Sequence, residues 1–344
     1  MPYSRNHSGG IPQAAIHEVD AISVWEWAGS VMLVAIASMK GGVGKSTLAA
    51  MLAKHVAGSM GVSVTVVDMD PQRGATILLL GPRKAASHTG PTMYDVLQSE
   101  LDNIPSHEIL ARAIVPSAYH EGVRLVPACT ALANIAGPET PRDLLRLALC
   151  GSINTLDPLV IIDTGPDITL CEMSIIAADL IFIPVTLSHQ SGVPTLNTLQ
   201  TAFRVGCPIG GLIPTMVGTS QWSEKRVAQW RESLRNTQLV KNRKIQLLTS
   251  MPYSQSAIRG TWRWGKLPHL FIPALKGIEA QIYSNRDSRQ GENANGIDLS
   301  ARTMEGIVNH GFHQKVQHRR VRRCSIRVVI PRTRSLRQVS ASMA

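Results

Sequence analysis

From Val31 the chain runs through eight residues with almost no polar side chain, VMLVAIAS. It then breaks into the glycine-rich turn MKGGVGK and continues as KSTLAAMLAKHVAGSMG (45–61), whose apolar residues recur at helical spacing and end on a glycine. A short apolar run is a buried strand, and the segment after the turn is a helix. Strand, glycine loop and helix start together leave backbone N–H groups converging on one point, where an anion is welcome. The glycines at 41, 42 and 44 permit backbone conformations and close approach that side chains would block.

The same alternation continues. VSVTVVDMD (62–70), VRLVPA (123–128), PLVIIDTGP (158–166), LIFIPVT (180–186) and IGGLIPTMV (209–217) read as strands. Helical patterns lie between them at 92–101, 107–115, 141–150 and 192–206, and residues 222–248 read as helical and basic. PHLFIPALKGIEAQIYS (268–284) closes the domain. Such alternation predicts an α/β fold with a mostly parallel sheet flanked by helices on both faces. Ligands of such sheets sit at the carboxyl ends of the strands. Lys40 to Thr47, Asp68 and Asp70, Asp163 and Thr215 all fall there.

The loop departs from the plain G-x-x-x-x-G-K-[ST] phosphate-loop pattern, because Met39 stands where the first glycine belongs and Lys40 follows it. Lys45 reaches the β and γ phosphates, Ser46 offers a hydroxyl to Mg²⁺ and Thr47 bonds the α-phosphate. In DMDPQ (68–72) two carboxylates at a strand end can orient water and hold the metal's water shell; the same residues are also ordinary turn formers. In VIIDTGP (160–166) an apolar strand ends on Asp163, placed to hold Mg²⁺ through water.

KGGVGKS, DMDPQ and IIDTGP, in this order, resemble the ParA family of ATPases, within the deviant Walker A group that includes MinD. TMYDVL (92–97), EGVRLVPACTALANI (121–135) and LIPTMV (212–217) extend the resemblance over residues 32–284. It implies a P-loop NTPase of the ParA/MinD type that binds ATP and Mg²⁺ and hydrolyses ATP slowly. By resemblance, Lys40 reaches across a face-to-face homodimer to the partner's phosphates, Asp70 positions the catalytic water and Asp68 is its metal-side neighbour. Val43 belongs to the nucleotide loop, and Thr215 and Met216 lie near the adenine. Three positions depart from the family's pattern. Arg73 follows DPQ where small residues are usual, Gly165 replaces the first proline of DTPP, and Ser46 replaces Thr.

The sequence carries a formal charge of +11, which calls for an anionic partner without choosing nucleic acid or membrane. Residues 222–266 hold ten Lys or Arg against two acids. They read either as a solvated face or as a phosphate-backbone surface. The resemblance favours nonspecific DNA, with Arg259, Arg263, Lys225 and Arg226 as candidates, and a ParB-like partner that triggers hydrolysis in a nucleoid-associated, cytoplasmic protein. MinD-like membrane positioning and the positioning of protein cargo are the alternatives. The five cysteines (129, 150, 171, 207, 324) form no C-x-x-C pair, against an iron–sulfur cluster, a zinc site or a disulfide framework. No run of about twenty clean apolar residues offers a membrane span. Residues 1–31 read as a disordered extension, and 285–344 as a polar linker with an Arg-rich, disordered tail.

Overall fold

The computed structural model describes residues 31–218, 220–236, 245–254 and 271–294. Seven strands form one sheet: β1 (Met32–Ile36), β2 (Val64–Met69), β3 (Val115–Pro116), β4 (Val123–Val126), β5 (Leu159–Thr164), β6 (Leu180–Thr186) and β7 (Ile209–Thr215). Their order is β3-β4-β2-β5-β1-β6-β7, all parallel except β3 against β4. Every residue of β1, β2 and β5 is buried, as the continuous apolar runs require of central strands covered on both faces.

Side chains alternate between two cores. Met32, Val34 and Ile36 face one, with Val64, Val66, Leu159, Ile161 and Phe182. Helices α1 (Lys45–Met60), α2 (Gly74–Leu80) and α10 (Ile272–Ala294) cover it. Leu33 and Ala35 face the other, with Val67, Met69, Val160, Ile162, Ile181 and Ile183. This second core is closed by α4 (Met93–Leu101), α5 (His107–Ala113), α6 (Leu144–Gly151), α7 (Ile168–Ala177) and α8 (Gly192–Val205). Local signals set the helix ends. Thr92 and Asp95 form a reciprocal capping box on α4. Asp167 accepts the Leu170 N–H at 2.9 Å to start α7.

Several sequence expectations change. The helix expected to 115 stops at Ala113, and Val115–Pro116 becomes the antiparallel edge strand β3. The basic helix expected over 222–248 is α9 (Gln221–Asn236), and 245–254 instead runs beside β7. There Leu212 pairs with Leu247 and Val217 with Pro252, and the Met251 N–H donates to the Pro214 carbonyl at 2.7 Å. Leu247 and Leu248 pack into opposite cores, as a strand demands and a helix does not. The short helices α2 and α3 (Pro82–Ala86) and the helix α7 have no counterpart in the sequence reading.

Helix α10 runs past 284, where the sequence reading placed the start of a polar linker, and ends at Ala294. The supposed linker is polar but holds no proline, and Arg286 within it is buried. His55 of α1 meets Glu279 of α10 at 2.7 Å, and Tyr283 bonds Met60, so the helix is anchored along the first core. A chain ending at residue 284 should melt below one ending at 294, because ending at 284 removes the last turns of α10 and the buried Arg286. Equal melting temperatures in a thermal scan of the two would show that 285–294 adds nothing.

Candidate functional site

The carboxyl edge of the sheet gathers residues that lie far apart in sequence. The turn after β1 has Gly42 at φ 70° and Gly44 at φ 88°, both left-handed, and α1 starts directly at Lys45. Its N-terminal amide groups therefore line the turn. Lys45 is buried and its Nζ donates to the Lys40 carbonyl at 2.8 Å, closing the loop on itself. Burial pushes its pKa down, while Asp163, Cys171 and Asp70 pull it up.

Beside the loop, strand register places two carboxylates side by side, since Asp68 of β2 pairs with Asp163 of β5. Both are wholly buried, but they differ in what they bond. Asp68 accepts the Asp70 N–H at 3.0 Å, and the Thr76 N–H and hydroxyl at 2.8 and 2.7 Å. Burial raises it to about 6, with the Thr76 hydroxyl opposing. Both oxygens thus accept bonds from the turn and from α2, so Asp68 organises the loop that flanks the site. No hydrogen bond of good geometry reaches either oxygen of Asp163, although the Ser46 hydroxyl lies beside it. Burial first, and then the charge of Asp68, hold its pKa well above the usual carboxylate range; the Ser46 hydroxyl and Lys45 pull it down.

A bare buried carboxylate costs free energy unless something compensates it. A divalent cation does so, and the Ser46 hydroxyl stands close by. Asp163 and Ser46 therefore fit Mg²⁺ as two protein-side groups, with oxygens of a bound phosphate and water completing a shell. No cluster of three or more His, Cys, Asp or Glu with metal-holding geometry occurs among the described residues, so a cation here depends on other oxygens. A Cβ at Gly74 would stand 2.3 Å from the Ser46 Oγ, so only glycine lets the loop close this tightly on the hydroxyl. Arg73, the departure after DPQ, is left-handed at φ 61° and donates from its guanidinium to the Ala85 carbonyl at 3.3 Å, pinning the turn to α3. Asp70 is buried at the loop's turn, and its Oδ1 accepts the Gln72 N–H at 2.9 Å.

Lys40 lies on the other side. Its Nζ donates to Thr186 Oγ1 (3.2 Å), Ser188 Oγ (3.1 Å) and Ser191 Oγ (2.7 Å). The three hydroxyls also contact one another, with Thr186 and Ser191 at 2.5 Å. This cage of neutral oxygens had no sequence signal, because isolated Ser and Thr after a strand form no motif. Thr215 donates to the Val43 carbonyl at 2.8 Å, tying the end of β7 to the loop. Beyond it opens a cleft lined by Thr47, Leu48, Met216, Met251, Tyr253 and Phe271 among others, mostly apolar and directly beside the phosphate turn. Thr47, Thr215 and Met216 are residues that the sequence reading gave to the nucleotide; Met251 and Tyr253 enter because 245–254 runs beside β7, and Phe271 from the turn before α10. Lys225 and Arg226 lie exposed on α9. Arg259 and Arg263 lie outside the described residues.

Residues 31–204 match the family described as AAA domain. The sporulation initiation inhibitor protein Soj of Bacillus subtilis (strain 168) is 28% identical over 195 residues, 54% of this chain and 72% of Soj. This chain belongs to the ParA family of P-loop ATPases. The maintenance of carboxysome distribution protein A of Synechococcus elongatus is 29% identical over 182 residues, 49% of this chain and 64% of the relative. Apo McdA of Cyanothece shares the fold at TM-score 0.60 and 22% identity, covering 73% of this chain and 99% of that one. A putative plasmid partition protein of Borrelia burgdorferi bound to AMPPNP does so at TM-score 0.57 and 21% identity, covering 74% and 99%. Among the described residues, no helix is long and apolar enough to cross a membrane.

The burial of the Asp163 carboxylate should carry a cost in stability. Its raised pKa means that the stability held by its protonated form is complete below about pH 4 and is lost as pH rises through the raised value. Without nucleotide or metal, Asp163→Asn should therefore match the wild type near pH 4 and melt above it at pH 8, by about 5 °C. With ATP and Mg²⁺ the wild type should gain stability and the variant should not. A variant that melts below the wild type at pH 8 would show that Asp163 is compensated already.

Proposed function

We propose that the protein is an ATP-hydrolysing switch of the ParA type that positions cargo by binding nonspecific DNA as an ATP-bound dimer. The observation that carries this reading is the convergence of Lys40, Lys45, Asp70 and Asp163 on one edge of the sheet, around a helix start. In this reading the backbone of Gly41 to Gly44 and Lys45 hold the β and γ phosphates, and Thr47 bonds the α-phosphate. The base enters the pocket at Thr215, Met216 and Tyr253. Mg²⁺, when bound, neutralises developing charge on the phosphate oxygens. Ser46 and Asp163 would hold it, with Asp68 keeping the adjoining turn in place. Asp70 orients the attacking water.

Lys40 supplies the trans contact. In its cage it meets only neutral oxygens, whereas phosphate oxygens are charged and bond an ammonium roughly twice as strongly. The phosphates of a second subunit's nucleotide would therefore draw Lys40 out of the cage. Dimerisation and charge stabilisation then fall to the same side chain, in the manner of an arginine finger given in trans. Release would follow hydrolysis stimulated by a ParB-like partner.

The exposed Lys225 and Arg226, with Arg259 and Arg263 further along the same basic stretch, support DNA as the surface that the dimer binds. A second reading, protein cargo, draws on the carboxysome-distribution relative; in both, cargo choice lies with the partner.

A salt titration of binding to random-sequence duplex DNA tests the function. With ATP and Mg²⁺ the wild type should bind, and affinity should fall steeply with salt. With ADP or without nucleotide it should bind at least tenfold more weakly. Lys45→Ala should lose both hydrolysis and DNA binding, and Arg259→Ala should lose DNA binding alone. Binding that ignores the nucleotide would overturn the switch; full binding by Arg259→Ala would remove only that residue.

A further inference from the structure

The segment after β5 is two residues long between fixed points. Thr164 ends the strand, and its hydroxyl donates to the Ile36 carbonyl at 3.1 Å. Asp167 caps α7. Gly165 and Pro166 bridge them with no slack, since one end is a buried strand and the other a capped helix.

Asp70 faces this bridge and is itself held on three sides. Its N–H donates to Asp68 Oδ1 at 3.0 Å, its carbonyl accepts the Arg73 N–H at 2.8 Å, and its Oδ1 accepts the Gln72 N–H at 2.9 Å. A Cβ built on Gly165 would stand 3.0 Å from Asp70 Oδ1, 3.1 Å from its Cγ and 3.4 Å from its Cα. The carboxyl group therefore sits close against the open side of Gly165, where a side chain would stand. These separations are tighter than ordinary van der Waals contact, so any side chain at 165 moves the carboxylate by a few tenths of an ångström. Gly165 is not among the residues with positive φ. Its backbone would accept an alanine, and the missing side chain is what matters here.

We propose that Gly165 is a positioning residue for the reaction: its bare Cα seats the Asp70 carboxylate where it orients the attacking water. This rests on the role given to Asp70 above. The pattern that the sequence resembles carries proline at this place, and the Cβ of a proline would press on the Asp70 carboxylate where it lies here. The close seat is thus a property of this chain. It makes the two loops after β2 and β5 depend on each other, since a shift in either carries the carboxylate with it. Nucleotide binding is spared, because neither Gly165 nor Asp70 lies in the phosphate turn.

The test compares the wild type, Gly165→Ala and Asp70→Asn by steady-state ATP hydrolysis, by equilibrium binding of a fluorescent ATP analogue with Mg²⁺, and by thermal melting. Misplacing a catalytic group by 1 Å costs about a hundredfold in rate, so a shift of part of that should lower kcat of Gly165→Ala about tenfold. Its KM, its affinity for the analogue and its melting temperature should stay near wild type. Asp70→Asn should lose turnover more deeply while still binding the analogue. Full kcat in a folded Gly165→Ala would overturn the proposal. So would a variant that loses nucleotide binding or melts far below the wild type, because Gly165 would then serve the fold. Wild-type turnover in Asp70→Asn would instead remove the role of Asp70, and the proposal with it.

Discussion

Two carboxylates stand side by side in a dry sheet, and most of the site follows from how each is treated. Asp68 and Asp163 are register partners on adjacent parallel strands, both without solvent exposure. Like charges this close cannot both be ionised cheaply. The fold resolves the conflict asymmetrically. Asp68 receives three hydrogen bonds from its own loop and α2, and Asp163 receives none of good geometry, with only the Ser46 hydroxyl beside it. The first carboxylate builds structure; the second keeps an open demand for positive charge. Lys45 meets part of that demand from the phosphate turn. A divalent cation beside Ser46 would meet the rest.

That asymmetry links binding to shape. The loop that Asp68 organises also carries Asp70, Arg73 and Gly74, and Gly74 closes directly on Ser46. Whatever displaces the Ser46 hydroxyl presses on the loop that holds Asp70. On the far side, Lys40 rests in a cage supplied by the end of β6 and the approach to α8. The phosphate turn is thus flanked by one loop poised for chemistry and one side chain held in reserve. A cage of neutral hydroxyls is a weaker hold for an ammonium group than charged oxygens would be, which is what the proposed exchange of Lys40 requires.

Much of this was legible in the sequence, for physical reasons. Central strands of a parallel sheet must be apolar on both faces, so LVII before Asp163 and VTVV before Asp68 announce themselves. Glycines at 41, 42 and 44 before Lys45 mark a turn that few other contexts need. Other elements were hidden. Helix α7 is buried on nearly all sides, so it has no polar stripe and no helical period to read. Ile245, Leu247 and Leu248 make too short a run to separate from the basic helix before them, and the bonds to β7 decide their shape. Polarity misled at 285–294, where the absence of proline mattered more. The hydroxyl cage, and the seats of Gly74 and Gly165, exist only in three dimensions. The departures at Arg73 and Gly165 were visible, but their meaning was not. Arg73 is an anchor to α3, and Gly165 makes room for Asp70.

The central claim is that Lys40 exchanges its own subunit's hydroxyls for another subunit's phosphates. Sedimentation velocity with ATP and Mg²⁺ tests it most directly, comparing the wild type with Lys40→Ala after nucleotide binding by both has been verified. The expected result is a wild type that shifts from monomer to dimer with ATP and not with ADP, and a Lys40→Ala protein that binds ATP but stays monomeric. A Lys40→Ala protein that dimerises with ATP as the wild type does would contradict the claim and leave Lys40 as a residue of the loop alone.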